Sequence, residues 1–365
     1  MWTEQQKYAL KEVDKWFYQN SKKKKIFRVF GYAGTGKTTL ARHFAEHIDG
    51  YVAFAAFTGK AALVMRKNGC PDARTIHSLI YIAKVDKNTG EVEWKINRES
   101  PLKDAALLII DECSMVDEDL AKDVMSFGVP VLVLGDPAQL PPVKGAGYFT
   151  EAKPDVMLTE IHRQSKDNPI IYLANEVRQG IYPDVGEYGD SRVLTKISSK
   201  DALDADQILV GRNVTRCDMN SKMRRLLKLD ADTPVESDKL ICLKNDKDVG
   251  IFNGGMFTLQ QVFQQKYKTN FLRMSLESDD EERPPVIVKV HKSFFMDDVP
   301  TPDWKTLKGS QSFDYGYAIT CHKSQGSQWE NVLIYDESFC FRDQWERWLY
   351  TAITRASEKV TIVKN

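Results

Sequence analysis

Apolar residues fall along this chain in short runs separated by polar, glycine-rich turns. Ile26 to Phe30 predicts a strand that runs into a glycine-rich turn, Thr38 to Ile48 carries a helical pattern, and Tyr51 to Phe57 predicts a second strand. That succession is a β-loop-α-β unit. Leu107 to Ile110 and Val131 to Leu134 are continuous apolar runs closed by Asp111 and Asp136. Such runs predict parallel strands covered on both faces, which puts the two carboxylates at the strand ends where open α/β sheets bind ligands.

Elsewhere the pattern changes. Tyr81 to Lys95 alternates around Asp86-Lys87-Asn88-Thr89-Gly90, which predicts a projecting β-hairpin. A second α/β unit is predicted from near Pro154, with strands at Ile208 to Val210, Val332 to Tyr335 and Val360 to Val363. From about Asp232 to Lys308 short β-rich runs, broken by Asn253-Gly254-Gly255 and Pro284-Pro285, predict a small β-barrel inserted into that second unit.

With 365 residues and 42% hydrophobic content, the chain can bury more than one core, and length alone suggests two or three domains. It shows neither a long apolar run nor a signal-peptide pattern, so a cytoplasmic protein is expected. Six scattered cysteines without a Cys-x-x-Cys pair argue against a disulfide framework or a thiolate zinc site. The 51 basic and 51 acidic residues balance, so any nucleic-acid contact must come from local grooves rather than a global field. The basic run Lys22 to Lys25 and the acidic run Asp279 to Glu282 read as a solvated turn and a loop.

Gly31-Tyr32-Ala33-Gly34-Thr35-Gly36-Lys37-Thr38 fits G-x-x-x-x-G-K-[ST] between a predicted strand and a predicted helix, which makes it a P-loop. Its backbone N–H groups, through Gly34, Thr35 and Gly36 and on to Thr39, would cradle phosphate. Lys37 would reach the β and γ oxygens of ATP, and Thr38 would ligate Mg2+. Leu107 to Glu112 supplies the partner motif, with Asp111 toward the metal and Glu112 as base for an attacking water.

At this point the residues resemble superfamily 1 helicases, in the group B branch that includes RecD and Dda. Phe57-Thr58-Gly59-Lys60-Ala61-Ala62 looks like motif Ia, and Arg74-Thr75-Ile76-His77-Ser78-Leu79 like that branch's Thr-Ile-His-Ser element. Asp111 to Met115 looks like motif II, Gly135 to Pro142 like motif III, and Leu158 to Gln164 like motif IV. Tyr317 to Gly326 resembles motif V, and Tyr350 to Ala356 motif VI. The resemblance covers nearly the whole chain.

It implies two RecA-like P-loop NTPase domains with parallel sheets, a hairpin insertion in the first and an SH3-like β-barrel in the second. The expected layout is domain 1A over 1–152 with pin 1B at about 81–100, domain 2A over 153–231 and 309–365, and domain 2B over 232–308. Gln6 is implied at the adenine, Gln139 as γ-phosphate sensor, Arg163 and Arg355 as arginine fingers, and Gln325 and Gly326 near the nucleotide. Phe57, Thr58, Thr75, His77, Thr320, His322 and Lys323 are implied contacts to single-stranded DNA and to the single-strand/duplex junction. The family moves 5′ to 3′, which makes an ATP-dependent DNA helicase the expectation: a monomer in a bacterial or phage-infected cell, with replication or recombination proteins as partners. ATP would close a cleft between the lobes and hydrolysis would open it.

Three alternatives remain open on sequence alone. An RNA helicase of the same superfamily would carry the same motifs, and a non-unwinding P-loop ATPase switch would need no strand-gripping residues. His43-Phe44-Ala45-Glu46-His47 fits the H-x-x-E-H of inverted zinc metalloproteases. That helix starts at the P-loop, however, and both histidines suit a polar helix face.

Overall fold

The uninterrupted apolar stretches form the centre of a parallel sheet in a computed structural model that describes residues 2–364, except 71, 86–91, 142–146, 161–167, 230–231, 247–248, 265–266, 268, 281–282, 297–299 and 301. The chain divides into two compact units, Met1–Ile181 and Tyr182–Asn365.

Strands of the first unit are β1 (Ile26–Gly31), β2 (Val52–Ala56), β3 (Arg74–Thr75), β4 (Tyr81–Val85), β5 (Val92–Ile96), β6 (Leu107–Asp111), β7 (Val131–Gly135) and β8 (Val156–Leu158). Its helices are α1 (Glu4–Lys15), α2 (Lys37–Ala45), α3 (Gly59–Lys67), α4 (Ile76–Ile80), α5 (Glu118–Met125), α6 (Tyr148–Glu151) and α7 (Pro169–Arg178). Among the described residues the main sheet runs β3-β2-β6-β7-β1-β8, every pair parallel. All of β6 and β7 is buried, because one apolar cluster around Leu40, Leu107 and Leu134 covers one face and another around Phe30, Ile110 and Phe149 covers the other. β4 and β5 pair antiparallel as the expected hairpin, in register Tyr81 with Ile96. Its tip, Asp86 to Gly90, lies outside the described residues.

The second unit contains β9 (Gly186–Tyr188), β10 (Ser191–Leu194), β11 (Gln207–Val210), β12 (Lys239–Cys242), β13 (Met256–Val262), β14 (Phe271–Ser278), β15 (Val286–His291), β16 (Phe313–Tyr315), β17 (Ala318–Thr320), β18 (Trp329–Tyr335) and β19 (Ala356–Val363). Its helices are α8 (Ser199–Leu203), α9 (Asn213–Leu226), α10 (Trp304–Leu307) and α11 (Trp345–Ile353). One sheet runs β17-β11-β18-β19-β10-β9, parallel except at the edge pair of β10 with β9. The other, β15-β14-β13-β12-β16, is antiparallel throughout. Both contribute to one apolar cluster that joins Ile208 and Leu333 to Leu240, Phe257 and Phe313.

Two boundaries shift from the sequence expectation. The second unit does not begin near Pro154, since Val156–Leu158 pairs with β1 as the edge strand of the first sheet. The inserted antiparallel sheet likewise extends past Lys308, because Phe313–Tyr315 closes it against β12. Both strands are three residues long, too short for periodicity to assign to a sheet. Among the described residues no helix is long and apolar enough to cross a membrane.

Candidate functional site

The strand β1 delivers the chain into the P-loop, and α2 leaves it. Gly34 and Gly36 adopt φ of 76° and 78°, left-handed values that a side chain resists, and Gly36 stands as N-cap of α2 without a side-chain cap. The first N–H groups of the helix are therefore left for an anion. Thr35 is buried and its hydroxyl donates to the Tyr32 carbonyl at 2.8 Å; Thr39 is exposed. Lys37 Nζ donates to the carbonyls of Gly31 at 2.7 Å and Tyr32 at 3.0 Å, which holds the ammonium across the loop.

Thr38 Oγ1 donates to Asp111 Oδ2 at 2.6 Å, and the Glu112 backbone N–H donates to Asp111 Oδ1 at 2.8 Å. Burial, then the Glu112 charge, push the Asp111 carboxyl above its ordinary value, against the pull of Thr38 and Lys37. A carboxylate in that position gains from a cation. The donor set fits Mg2+: a hydroxyl and a carboxylate whose oxygens lie near the ~2.9 Å edge of an octahedron with metal–oxygen bonds of about 2.1 Å. Glu112 itself has φ 51° and ψ 47°, a left-handed conformation costly for a residue with a side chain and common at working sites. Gln139 is buried, and its Oε1 has no hydrogen-bond partner among the described residues. An unpaired amide oxygen inside a protein costs about 1–3 kcal/mol, so this oxygen gains from any donor that reaches it.

Gln6 is buried beside the loop. Its Nε2 donates to the Thr35 carbonyl at 3.0 Å while its Oε1 accepts from the Thr3 N–H at 3.0 Å, in the capping box that starts α1. The side chain expected at the adenine thus also braces the P-loop.

The expected strand contacts of the first unit gather at the base of the hairpin. His77 lies 5.8 Å from the rings of both Phe57 and Tyr81, and desolvation lowers its pKa against the pull of Asp117. Thr58 and Thr75 have a structural role as well, because each hydroxyl caps a helix by accepting from Ala61 N and Ser78 N, both at 3.1 Å.

Within the second unit, Arg355 is buried and donates to the carbonyls of Thr351 and Ser327, both at 3.2 Å, and to Thr354 Oγ1 at 3.4 Å. None of its described contacts is a carboxylate, so the positive charge stays available to a phosphate. Ser327 follows Gln325, which is buried, and Gly326, at φ 76°. His322 lies 5.7 Å from the Phe341 ring, and burial lowers its pKa, as it does for Lys323. Thr320 precedes them as N-cap of a short 3-10 turn. Arg163 lies outside the described residues.

Two features escaped the sequence. Arg178, at the end of α7, lies over the ring of the P-loop's Tyr32 at 3.9 Å. In the second unit Glu337 is fully buried and its carboxylate accepts from the start of α9. Neither contact has a local signal. His43 lies in the last turn of α2 and His47 in the turn that follows the helix, with Trp2 5.1 Å from the His43 ring and His47 Nδ1 2.8 Å from the His43 carbonyl.

Residues 3–199 match the family model described as an AAA domain, and residues 315–363 that of a UvrD-like helicase C-terminal domain. The ATP-dependent RecD2 DNA helicase of Deinococcus radiodurans is 28% identical over 362 residues, across 90% of this chain and 45% of that protein. The ATP-dependent DNA helicase dda of Enterobacteria phage T4 is 32% identical over 193 residues, across 49% of this chain and 43% of that protein. The chain thus spans less than half the length of these curated relatives. The crystal structure of Bacteroides Pif1 bound to ssDNA shares the fold, with a TM-score of 0.63 and 20% identity over 99% of this chain and 92% of that one. With the P-loop and Asp-Glu site in one α/β unit and the helicase C-terminal motifs in the other, the chain belongs to the AAA domain family, as a superfamily 1 group B member of the RecD and Dda type.

Proposed function

We propose that this chain is an ATP-dependent DNA helicase that translocates on single-stranded DNA from 5′ to 3′ and opens the duplex at a junction. The observation that carries the ATPase half is the Thr38 hydroxyl on the buried Asp111 carboxylate at the mouth of the P-loop. There Lys37 holds the β and γ oxygens, Gln6 and the loop seat the nucleotide, and Glu112 takes the proton of the attacking water while Gln139 senses the γ-phosphate. Mg2+ held by Thr38 and Asp111 would neutralise charge on the phosphates. Arg163 and Arg355 act as arginine fingers on the charge that builds up on the γ-phosphoryl oxygens.

The helicase half is supported by the relatives. Two of them are named ATP-dependent DNA helicases, and the Pif1 structure is described as bound to ssDNA. In this chain Phe57, His77, Thr58 and Thr75 of the first unit and Thr320, His322 and Lys323 of the second grip the strand without reading its sequence. The inserted antiparallel sheet serves as the SH3-like barrel 2B, and the β4–β5 hairpin as the pin. Direction rests on the resemblance to the RecD and Dda branch.

Strand displacement on duplexes with either a 5′ or a 3′ single-stranded tail tests substrate, activity and direction together. ATP-dependent displacement from the 5′-tailed duplex alone is expected. Displacement only from the 3′ tail refutes the direction, and ATP turnover indifferent to added single strands refutes the helicase.

A further inference from the structure

The P-loop is braced from outside itself at Tyr32, its second residue. The Tyr32 carbonyl gathers three donors: Lys37 Nζ at 3.0 Å, the Thr35 hydroxyl at 2.8 Å and the Thr35 N–H at 3.4 Å. Its own N–H donates to the carbonyl of Leu158, the last residue of β8, at 3.4 Å. The approach there is close, since a β-carbon on the neighbouring Gly31 would come within 2.9 Å of Leu158 Cβ. The Tyr32 backbone is thus where the phosphate-binding lysine, the turn of the loop and the edge strand of the sheet meet.

The Tyr32 ring, half-buried, is covered by the guanidinium of Arg178, 3.9 Å from its centroid. Arg178 stands in the last turn of α7, whose start is capped by the Asn168 side chain and whose inner face buries Ile170, Leu173, Ala174 and Val177. A cation in that turn suits the helix dipole, which explains the residue type and not where it points. Among the described residues Arg178 has no carboxylate partner: Nη2 reaches Asn175 Oδ1 only at 3.4 Å, and Nε is buried with no acceptor. The ring face is its principal partner, well inside the range of about 6 Å over which a cation is drawn to an aromatic face.

We infer that Arg178 is a positioning residue of the nucleotide site, acting through Tyr32. The stack fixes the Tyr32 ring, and with it the carbonyl on which Lys37 is docked, so that the empty loop keeps the shape that receives phosphate. The inference rests on the ATPase half of the reading above and adds a residue outside those named there. A loop ordered in advance loses less freedom when it closes on its ligand, so the stack contributes to nucleotide affinity. Because it acts on the loop and not on the γ-phosphoryl group, it serves ATP and ADP alike, and its loss appears in KM rather than in kcat.

The test is equilibrium binding of a fluorescent non-hydrolysable ATP analogue and of fluorescent ADP to the full chain, with steady-state ATP hydrolysis on saturating oligothymidylate in parallel. Arg178→Gln and Tyr32→Leu should each weaken both nucleotides about fivefold, the scale of one partly buried cation–π contact. KM for ATP should rise to match, while kcat of Arg178→Gln stays within about twofold of wild type. The double variant should also lose about fivefold, where independent contributions would multiply to about 25-fold. Tyr32→Phe, which keeps the ring, should recover the affinity that Tyr32→Leu loses. Tyr32→Leu removes no charge, so its loss separates the stack from long-range attraction between Arg178 and the nucleotide.

Multiplied losses in the double variant, or a loss confined to the ATP analogue, overturn the inference, because Arg178 would then touch the nucleotide directly. Affinity lost in only one of the single variants, or as much in Tyr32→Phe as in Tyr32→Leu, overturns it as well. So does unchanged affinity in all of them, even with a lower melting temperature, since the stack would then serve stability alone. Wild-type protein that binds neither nucleotide sinks the ATPase reading itself.

Discussion

Two junctions in this molecule begin alike, with a buried parallel strand, a turn and a helix, and they end in opposite chemistry. After β1 the loop opens through Gly34 and Gly36, and α2 starts without a side-chain cap. After β11 the corresponding turn, Gly211 and Arg212, is filled by the carboxylate of Glu337. Its Oε2 accepts from the N–H groups of Gly211 at 2.8 Å and Arg212 at 2.9 Å, and its Oε1 from Arg212 Nε and Thr215 Oγ1, both at 2.6 Å. Burial alone would raise the Glu337 pKa, but the Thr215, Arg212 and Gly211 donors outweigh it and hold it below the ordinary value. Both helix starts attract an anion. One takes it from its own chain and is a fixed structural joint; the other leaves the position to a nucleotide. The same supersecondary element therefore serves as catalyst or as scaffold according to one carboxylate.

The largest effect that can break this contrast comes from Lys37→Ala. Phosphate release should fall by about 10³-fold or more, the scale of losing a preorganised charge at a reacting phosphoryl group, while urea unfolding stays within about 0.5 kcal/mol of wild type. Turnover near the parent value would remove the P-loop as the seat of chemistry. Glu337→Gln should behave in the opposite sense. It leaves donors arranged for a charge around a neutral amide, and hydrogen bonds to a charged group are worth about 1.5–3 kcal/mol, so unfolding should shift by roughly that much with kcat per folded molecule retained. A silent Glu337→Gln would mean that the second junction is held by other contacts.

The first junction was legible in the sequence and the second was not, for a physical reason. A P-loop is local: Gly31 to Thr38 carry glycines, lysine and threonine at fixed offsets, and the partner strand ends in Asp111-Glu112 within the same sheet. The plug is not local, since Glu337 lies 126 positions from Gly211, and an acidic residue after an apolar strand is indistinguishable from an ordinary turn. The stack of Arg178 on Tyr32 is similarly non-local. Thr58 and Thr75 show another limit. Each was conspicuous as part of a motif, but the cap that each hydroxyl makes depends on where the helix starts, and element boundaries are what patterning fixes least well. The three-residue strands β8 and β16 follow the same rule: their sheet partners, not their own pattern, decide which sheet they join.

The smallest predicted effect separates two pH windows in the stability of the second unit. His322 titrates below its ordinary 6.5 in the folded chain because burial disfavours the imidazolium. The unfolded chain then binds more protons in the interval between the two values. Stability from this group is complete above about pH 6.5 and is lost as pH falls toward the folded value. Glu337, also depressed, has the same sign in a more acid window, complete above its ordinary 4.5 and lost below it. Urea midpoints should therefore be flat from about pH 8 to 7 and decline gently through the histidine window, while in acid the Glu337 loss runs against Asp314 and Asp336, whose burial raises their pKa and gives the opposite sign. His322→Asn should flatten the upper limb, with His77 contributing a similar term in the first unit, and Glu337→Gln should remove the Glu337 loss from the lower one. Above the histidine window the ring is uncharged, so strand affinity should keep one salt slope between about pH 7 and 8. A slope that steepens as pH drops within that range would mean that His322 is protonated when it meets the phosphate, and burial would then be the wrong account of its environment.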